Sequence, residues 1–343
     1  MRRIVLIGFL ILGLASVWGN GSSEMMNLPG EVTQKEYRVF HGFIGNRSTV
    51  FFLTFDGASS RAGMVVPDWL GDTAYEIDQL SFSFSKGEAA VNGTFVENGN
   101  TVLFNGTADA SLPYFLVSVY HFKAEEGDRQ FIYHGEIPFF PTLKSAAAKQ
   151  MTAVSVGDLR FSVSNAYGNE NELRAYFAQK MSDELRKWKE AAASQGSYHF
   201  EQSSYIRFLY ADTNLISLKA LTYEYRGGAH GMTAVSGLVF DRNTGTRISG
   251  LDWLNTGNTK FISDVRKKFI TPPSTLTEES FNDYERLGFD PKCEWMLTYG
   301  GILFVWSQYQ LGPYSSGMPA VLFSFDEIKP YVKKKSFPGG LFD

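Results

Sequence analysis

The side chain best suited to chemistry in this sequence is His230, set in Tyr223-Glu224-Tyr225-Arg226-Gly227-Gly228-Ala229-His230-Gly231. An imidazole held in a rigid loop can serve as acid, base or ligand, but each role needs company. His41, His121, His134 and His199 stand isolated along the chain, and no His-x-x-x-His or Cys-x-x-Cys pair is present for zinc. A Gly-x-Ser-x-Gly elbow, a Walker loop and a dinucleotide fingerprint are likewise missing from the sequence. Cys293 has no histidine beside it in Pro291-Lys292-Cys293-Glu294-Trp295 and reads as a small buried hydrophobe. Glu278, Glu279, Asp283 and Glu285 fall on one predicted helix, where carboxylates form a solvated face; a glycosidase pair has to converge from separate elements. His230 is therefore read as a residue that hydrogen-bonds the backbone to fix its loop, and no catalytic residue, metal or cofactor is assigned.

Recognition is the alternative use of such a loop. Trp295, Trp306, Tyr309 and Tyr314 are candidates for a sugar-stacking or protein-binding patch, although aromatic side chains in strands more often fill cores. The loop Tyr309-Gln310-Leu311-Gly312-Pro313-Tyr314-Ser315-Ser316-Gly317 is the better placed, because loops on a rigid scaffold carry recognition. The ligand-binding candidates are thus Tyr225, His230, Tyr309 and Tyr314. Gly227, Gly228, Gly231, Gly312 and Gly317 are assigned to shaping the two loops.

The elements that must position these loops are mostly strands. Leu215 to Tyr225 carries apolar residues at both parities, as a strand covered on both faces does, and Met232 to Phe240 continues as its partner. Earlier, Tyr37 to about Ile137 is a succession of short strands: Val50–Phe55, the alternating Leu80–Ser85, the Asn98-Gly99 hairpin, Tyr114–Phe122 and Phe131–Ile137. Pro138-Phe139-Phe140-Pro141 and the alanine-rich Lys144–Gln150 are read as a domain boundary, followed by a hairpin over Val154–Val163. A strong amphipathic helix follows, from an Asn169 cap through Leu173, Phe177, Met181, Leu185 and Trp188 to Gly196. Thr259–Ile270 and Thr277–Leu287 read as further helices, and Ser324 with Glu327 caps a short last one. The expected fold is α+β: an antiparallel barrel- or sandwich-like domain, then an α+β domain with an antiparallel or mixed sheet and three to four helices.

The chain has 343 residues, and the expected division is a signal peptide over 1–19, a flexible leader over 20–36, a β-rich domain over 37–141 and an α+β domain over 142–343. Arg2-Arg3 ahead of the apolar run Ile4–Val17 is the pattern of an export signal, with cleavage expected near residue 19. Losing those two arginines shifts the net charge from −4 to −6, which argues against a general nucleic-acid or anionic-membrane surface. A single cysteine excludes an internal disulfide, so packing of the 29 Phe, 17 Tyr and 6 Trp has to stabilise the fold.

Two blocks resemble a known family. Tyr225–Gly231 with Phe240-Asp241, Thr244-Gly245 and the Leu251–Leu254 segment, and then Tyr309–Gly317 with Phe325–Tyr331, are similar to the extracytoplasmic domain shared by lysozyme-sensing anti-sigma factors of the RsiV type and the accessory region of PdaC-type peptidoglycan deacetylases. The resemblance covers the C-terminal half. It implies an exported, periplasmic or secreted envelope protein that binds a lysozyme-like protein or peptidoglycan. The family's sigma-binding segment and its metal-dependent catalytic domain have no counterpart in this sequence, so a non-enzymatic binding protein is expected. The alternatives are an envelope hydrolase acting through His230 and a carboxylate brought near by the fold, and a purely structural envelope component.

Overall fold

A computed structural model describes residues 31–56, 61–66, 73–85, 88–108, 114–126, 129–143, 145–158, 182–191, 199–270 and 293–333, with 175, 179, 337 and 340–342. The expected signal, most of the expected leader, the Asn169 cap, Gly196 and the helix expected over 277–287 lie outside these residues.

Eight antiparallel strands open the chain: β1 (Glu31–Ile44), β2 (Arg47–Asp56), β3 (Arg61–Val66), β4 (Thr73–Ser85), β5 (Glu88–Glu97), β6 (Asn100–Ala108), β7 (Phe115–Glu126) and β8 (Arg129–Phe139). Residues 31–36, expected at the end of a flexible leader, are instead the first part of β1, where Lys35 and Glu36 pair with β7 on one side and β2 on the other. The first six strands form a meander that curls until β6 pairs back on β1, Ile44 opposite Phe104 and His41 opposite Thr107. Phe40, Phe51, Leu53, Val91, Phe95 and Phe104 fill its inside. The Asn98-Gly99 turn has positive φ at both residues, 51° and 80°, as the hairpin geometry requires.

The sheet does not stop at the expected boundary. The strand β8 pairs in parallel with β9 (His199–Ala211), which continues antiparallel through β10 (Leu215–Tyr225) to β11 (Met232–Asp241). Eleven strands therefore run in the order β11-β10-β9-β8-β7-β1-β2-β3-β4-β5-β6. One core serves both halves: Phe115 of β7 stacks on Phe208 of β9 at 4.2 Å and 15°, and Phe131 of β8 on Phe200 of β9 at 5.0 Å and 8°.

Residues expected to be linker and hairpin form a helix, α1 (Ser145–Asp158). Ala146, Ala147, Ala148 and Ala153 are strong helix formers, and Ala147, Met151 and Ser155 make a buried stripe at a spacing of four. The Gly157-Asp158 pair, read as a turn, ends that helix. Next comes α2, helical over the described residues 182–191, which lays Trp188 against Phe131 at 5.8 Å.

A second, three-stranded antiparallel sheet follows α3 (Thr259–Ile270) and has the order β12 (Glu294–Thr298), β13 (Gly301–Val305), β14 (Ala320–Phe323). Its Trp295, Leu297, Ile302, Phe304 and Trp306 pack with α3, while Met296, Leu303 and Val305 meet Leu209 and Val235 of the large sheet. The last helix, α4 (Phe325–Ile328), carries the expected reciprocal cap between Ser324 and Glu327. The α+β class and the mixed sheet agree with the sequence expectation, as do the four helices seen among the described residues.

One polar cluster lies inside the large sheet, and a second polar contact joins the small sheet to it. Glu136 of β8 is fully buried, yet it meets Lys35 Nζ of β1 at 2.9 Å, Arg207 Nη1 of β9 at 3.1 Å and the Ile206 N–H at 2.9 Å. Burial pushes its pKa up, but His134, Arg207 and Lys35 outweigh that and bring it to about 2. Tyr299, in the β12–β13 turn, donates its hydroxyl to the Ala211 carbonyl at 2.9 Å and accepts from the Ala211 N–H at 3.1 Å, tying the small sheet to the end of β9.

Candidate functional site

The glycine-rich corner joins β10 to β11. Gly227 and Gly228 adopt φ of 85° and 101°, a region that L side chains avoid, which is why two glycines stand there. Gly231 is needed for a different reason: a Cβ there would lie 2.4 Å from the Tyr223 ring, so the ring packs directly against the backbone. Tyr225 folds back over the turn and donates its hydroxyl to the Gly228 carbonyl at 2.9 Å.

The second loop arrives from β13 and is bolted to the outer edge of β11. Gln308 Oε1 accepts from the Thr233 N–H at 2.7 Å, and Ser307 Oγ accepts from the Val235 N–H at 3.1 Å. Gln310 Oε1 closes the loop on the Ser307 N–H at 2.7 Å. One strand step on, Glu294 Oε2 accepts from the Gly237 N–H at 3.0 Å. These side chains satisfy groups that an edge strand otherwise leaves open.

His230 and Tyr309, 79 residues apart, meet across this junction with Nε2 and the phenol oxygen at 3.0 Å. The other ring nitrogen, Nδ1, lies 3.0 Å from the Gly231 carbonyl. A carbonyl only accepts, so Nδ1 carries a proton, and in the neutral ring Nε2 accepts from the tyrosine hydroxyl. The His230 ring stacks on Tyr314 at 3.8 Å and 22°, with Tyr309 and Tyr314 at 6.0 Å. Tyr309 reaches this position with φ of 65°, an uncommon value for a tyrosine, and stays 50% exposed. Gly312 and Gly317, at φ of 152° and 65°, turn the loop so that Tyr314 comes back under the histidine.

Of the four candidates, His230, Tyr309 and Tyr314 form one cluster. Tyr225 lies to its side, edge-on to His199 at 5.2 Å, and its contact with Gly228 shapes the turn. Trp295 and Trp306 are core residues, and Cys293 is buried. Sequence reasoning missed Tyr223, Met232, Ser307, Gln308 and Gln310. Burial raises the Tyr223 hydroxyl above its ordinary pKa, and Glu201, Tyr314 and Tyr225 push it the same way. Met232, 44% exposed, flanks the corner together with Tyr309. No periodicity marks a polar side chain that caps a distant edge strand; only the pairing partner reveals it. Among the described residues no group of three or more His, Cys, Asp or Glu is gathered to hold a metal.

The corner thus places an exposed tyrosine, histidine and methionine at one edge of the large sheet. The comparisons agree with the resemblance seen in sequence. The family model described as Deacetylase PdaC matches residues 132–233, and the model described as a protein of unknown function, DUF3298, matches residues 250–326. The two matched stretches follow one another, the first ending just past the glycine corner and the second containing the tyrosine loop. Two solved structures are similar: a DUF3298 family member from Bacteroides fragilis, at 18% identity and TM-score 0.45 over 65% of this chain and 94% of that one, and a DUF3298 family protein from Pseudomonas aeruginosa, at 16% and 0.45 over 66% and 97%. No curated protein matches the chain. Among the described residues, no helix is long and apolar enough to cross a membrane.

Proposed function

We propose that this protein is an exported envelope binding module without catalytic activity, and that the corner of His230, Tyr309 and Tyr314 is where it takes a lysozyme-like protein or peptidoglycan. One observation carries the reading. Two loops from separate parts of the chain are locked into a single exposed aromatic surface by hydrogen bonds through His230, Ser307 and Gln308. Tyrosine on a preorganised loop gives large contact area at small entropic cost, the usual character of a binding hot spot. Both ring nitrogens of His230 are engaged, one by a carbonyl and one by a phenol, which supports a positioning role over proton transfer.

The test is co-sedimentation with purified sacculi and a titration against lysozyme. At least one should show saturable association. Tyr309→Ala should weaken it by about 30-fold, as expected for a hot-spot tyrosine worth roughly 2 kcal/mol, with thermal unfolding nearly unchanged. Absence of association with both materials would end this reading.

A further inference from the structure

A cavity of about 470 Å³ opens beside the same sheet edge, past the anchors of the tyrosine loop. Its walls come from Gly237 of β11, the loop that follows that strand, the start of β12 and Lys333 near the end of the chain. These segments are fixed to one another. The Ile248 N–H donates to the Val239 carbonyl at 2.7 Å and holds the start of the loop on β11. At its other end Leu254 bridges Val332, with the Lys333 N–H on the Trp253 carbonyl at 2.8 Å and the Asn255 N–H on the Tyr331 carbonyl at 2.9 Å.

The cavity carries both signs of charge at two depths. In its half-buried part Arg247 Nη2 donates to the Gly237 carbonyl at 3.0 Å, and Glu294 Oε2 accepts from the Gly237 N–H at 3.0 Å. One backbone residue thus fixes a cation and an anion side by side, 3.6 Å apart. At the exposed mouth Asp252 and Lys333 repeat the arrangement, one charge of each sign. Leu251 and Leu254 add an aliphatic wall.

Such a lining selects its occupant by charge. A simple anion meets repulsion from Glu294 and Asp252, a simple cation from Arg247 and Lys333. An apolar ligand would have to strip water from all four. A molecule that carries an ammonium and a carboxylate answers both pairs, and an aliphatic side chain between them meets Leu251 and Leu254. At ~30 Å³ per water the cavity has room for roughly 15 waters, about as many as the non-hydrogen atoms of a dipeptide. We propose that this cavity binds a zwitterionic short peptide, of dipeptide size with an aliphatic side chain. Its carboxylate lies toward Lys333 and Arg247 and its ammonium toward Asp252 and Glu294. The site is separate from the corner of His230, Tyr309 and Tyr314, and neither assignment rests on the other.

Calorimetric titration of the full chain with alanyl-leucine, and with the same dipeptide acetylated at its amine or amidated at its carboxylate, tests this. The free dipeptide should bind saturably. Each blocked form should bind at least ~10-fold more weakly, the loss of one charge-assisted contact. Asp252→Asn should bring the free dipeptide down to the affinity of the acetylated one, and Lys333→Ala down to that of the amidated one. Both side chains stand exposed at the mouth, so thermal unfolding should match that of the parent chain. No binding of the free dipeptide by the folded chain overturns the assignment. Equal binding of free and blocked forms does the same, as does binding that neither variant weakens. Any of these leaves the corner reading standing, and failure to associate with lysozyme and sacculi leaves this site standing.

Discussion

At the level of single residues, the feature with the sharpest consequence is a carboxylate sealed inside the sheet. Glu136 is stabilised as an anion by His134, Arg207 and Lys35 strongly enough to overcome burial, which leaves its folded pKa at about 2 against an ordinary 4.5. A depressed pKa contributes stability that is complete above the unfolded value and is lost as pH falls through the folded one. Thermal unfolding followed from pH 7 to pH 2 should therefore show a decline beginning near 4.5 and continuing toward 2. Glu136→Gln should lack most of that slope and be less stable at pH 7 by about 3 kcal/mol, because Lys35 and Arg207 lose their counter-charge. His230 illustrates how far sequence carries at this level. Its loop-fixing contact with a backbone carbonyl was legible from three nearby glycines and the want of a catalytic partner. Its bond to Tyr309 was not, because nothing local in either segment encodes a meeting 79 residues away.

Among elements, the outer edge of β11 decides where the tyrosine loop sits. Gln308→Ala removes the acceptor on the Thr233 N–H and should cost only about 1 kcal/mol of stability, as for one hydrogen bond. Ligand affinity should fall by more than that cost predicts, since the loop loses its anchor; denaturant titration beside binding measurements separates the two. Gly237→Ala is a harsher change. A Cβ there would lie 2.1 Å from the Trp295 carbonyl, so β12 has to move off the sheet, and denaturant unfolding should show a loss of about 3 kcal/mol. The strands themselves were readable from alternation and turn residues, with β10, β11 and the Asn98-Gly99 hairpin close to their expected bounds. The helix α1 was not, because its alanines are weak carriers of periodicity and its Gly157-Asp158 end imitates a hairpin turn.

For the molecule as a whole, the parallel pairing of β8 with β9 matters most. Near residue 141, where the sequence reading placed a domain boundary, the antiparallel strands are followed by the helix α1. Sequence could not show that the sheet and its core pass through that point, because a parallel seam between distant strands leaves no turn signal. Phe208 touches this shared core from β9 while stacking on Phe115 of β7. Phe208→Ala should therefore lower stability by about 4 kcal/mol and shift one calorimetric transition, leaving no early melting of either half.

The two flanks of the eleven-stranded sheet also bear on how copies of this protein behave beside one another. Fibre growth by strand addition needs a row of vacant amide groups to recruit an incoming chain. On one flank, Gln308, Ser307 and Glu294 occupy the β11 amides of Thr233, Val235 and Gly237; on the other, Phe104–Thr107 of β6 pair with the chain's own β1. The same acceptors that steer the tyrosine loop thus deny three of the β11 amides to an incoming strand, the defence that an edge strand needs against self-templating.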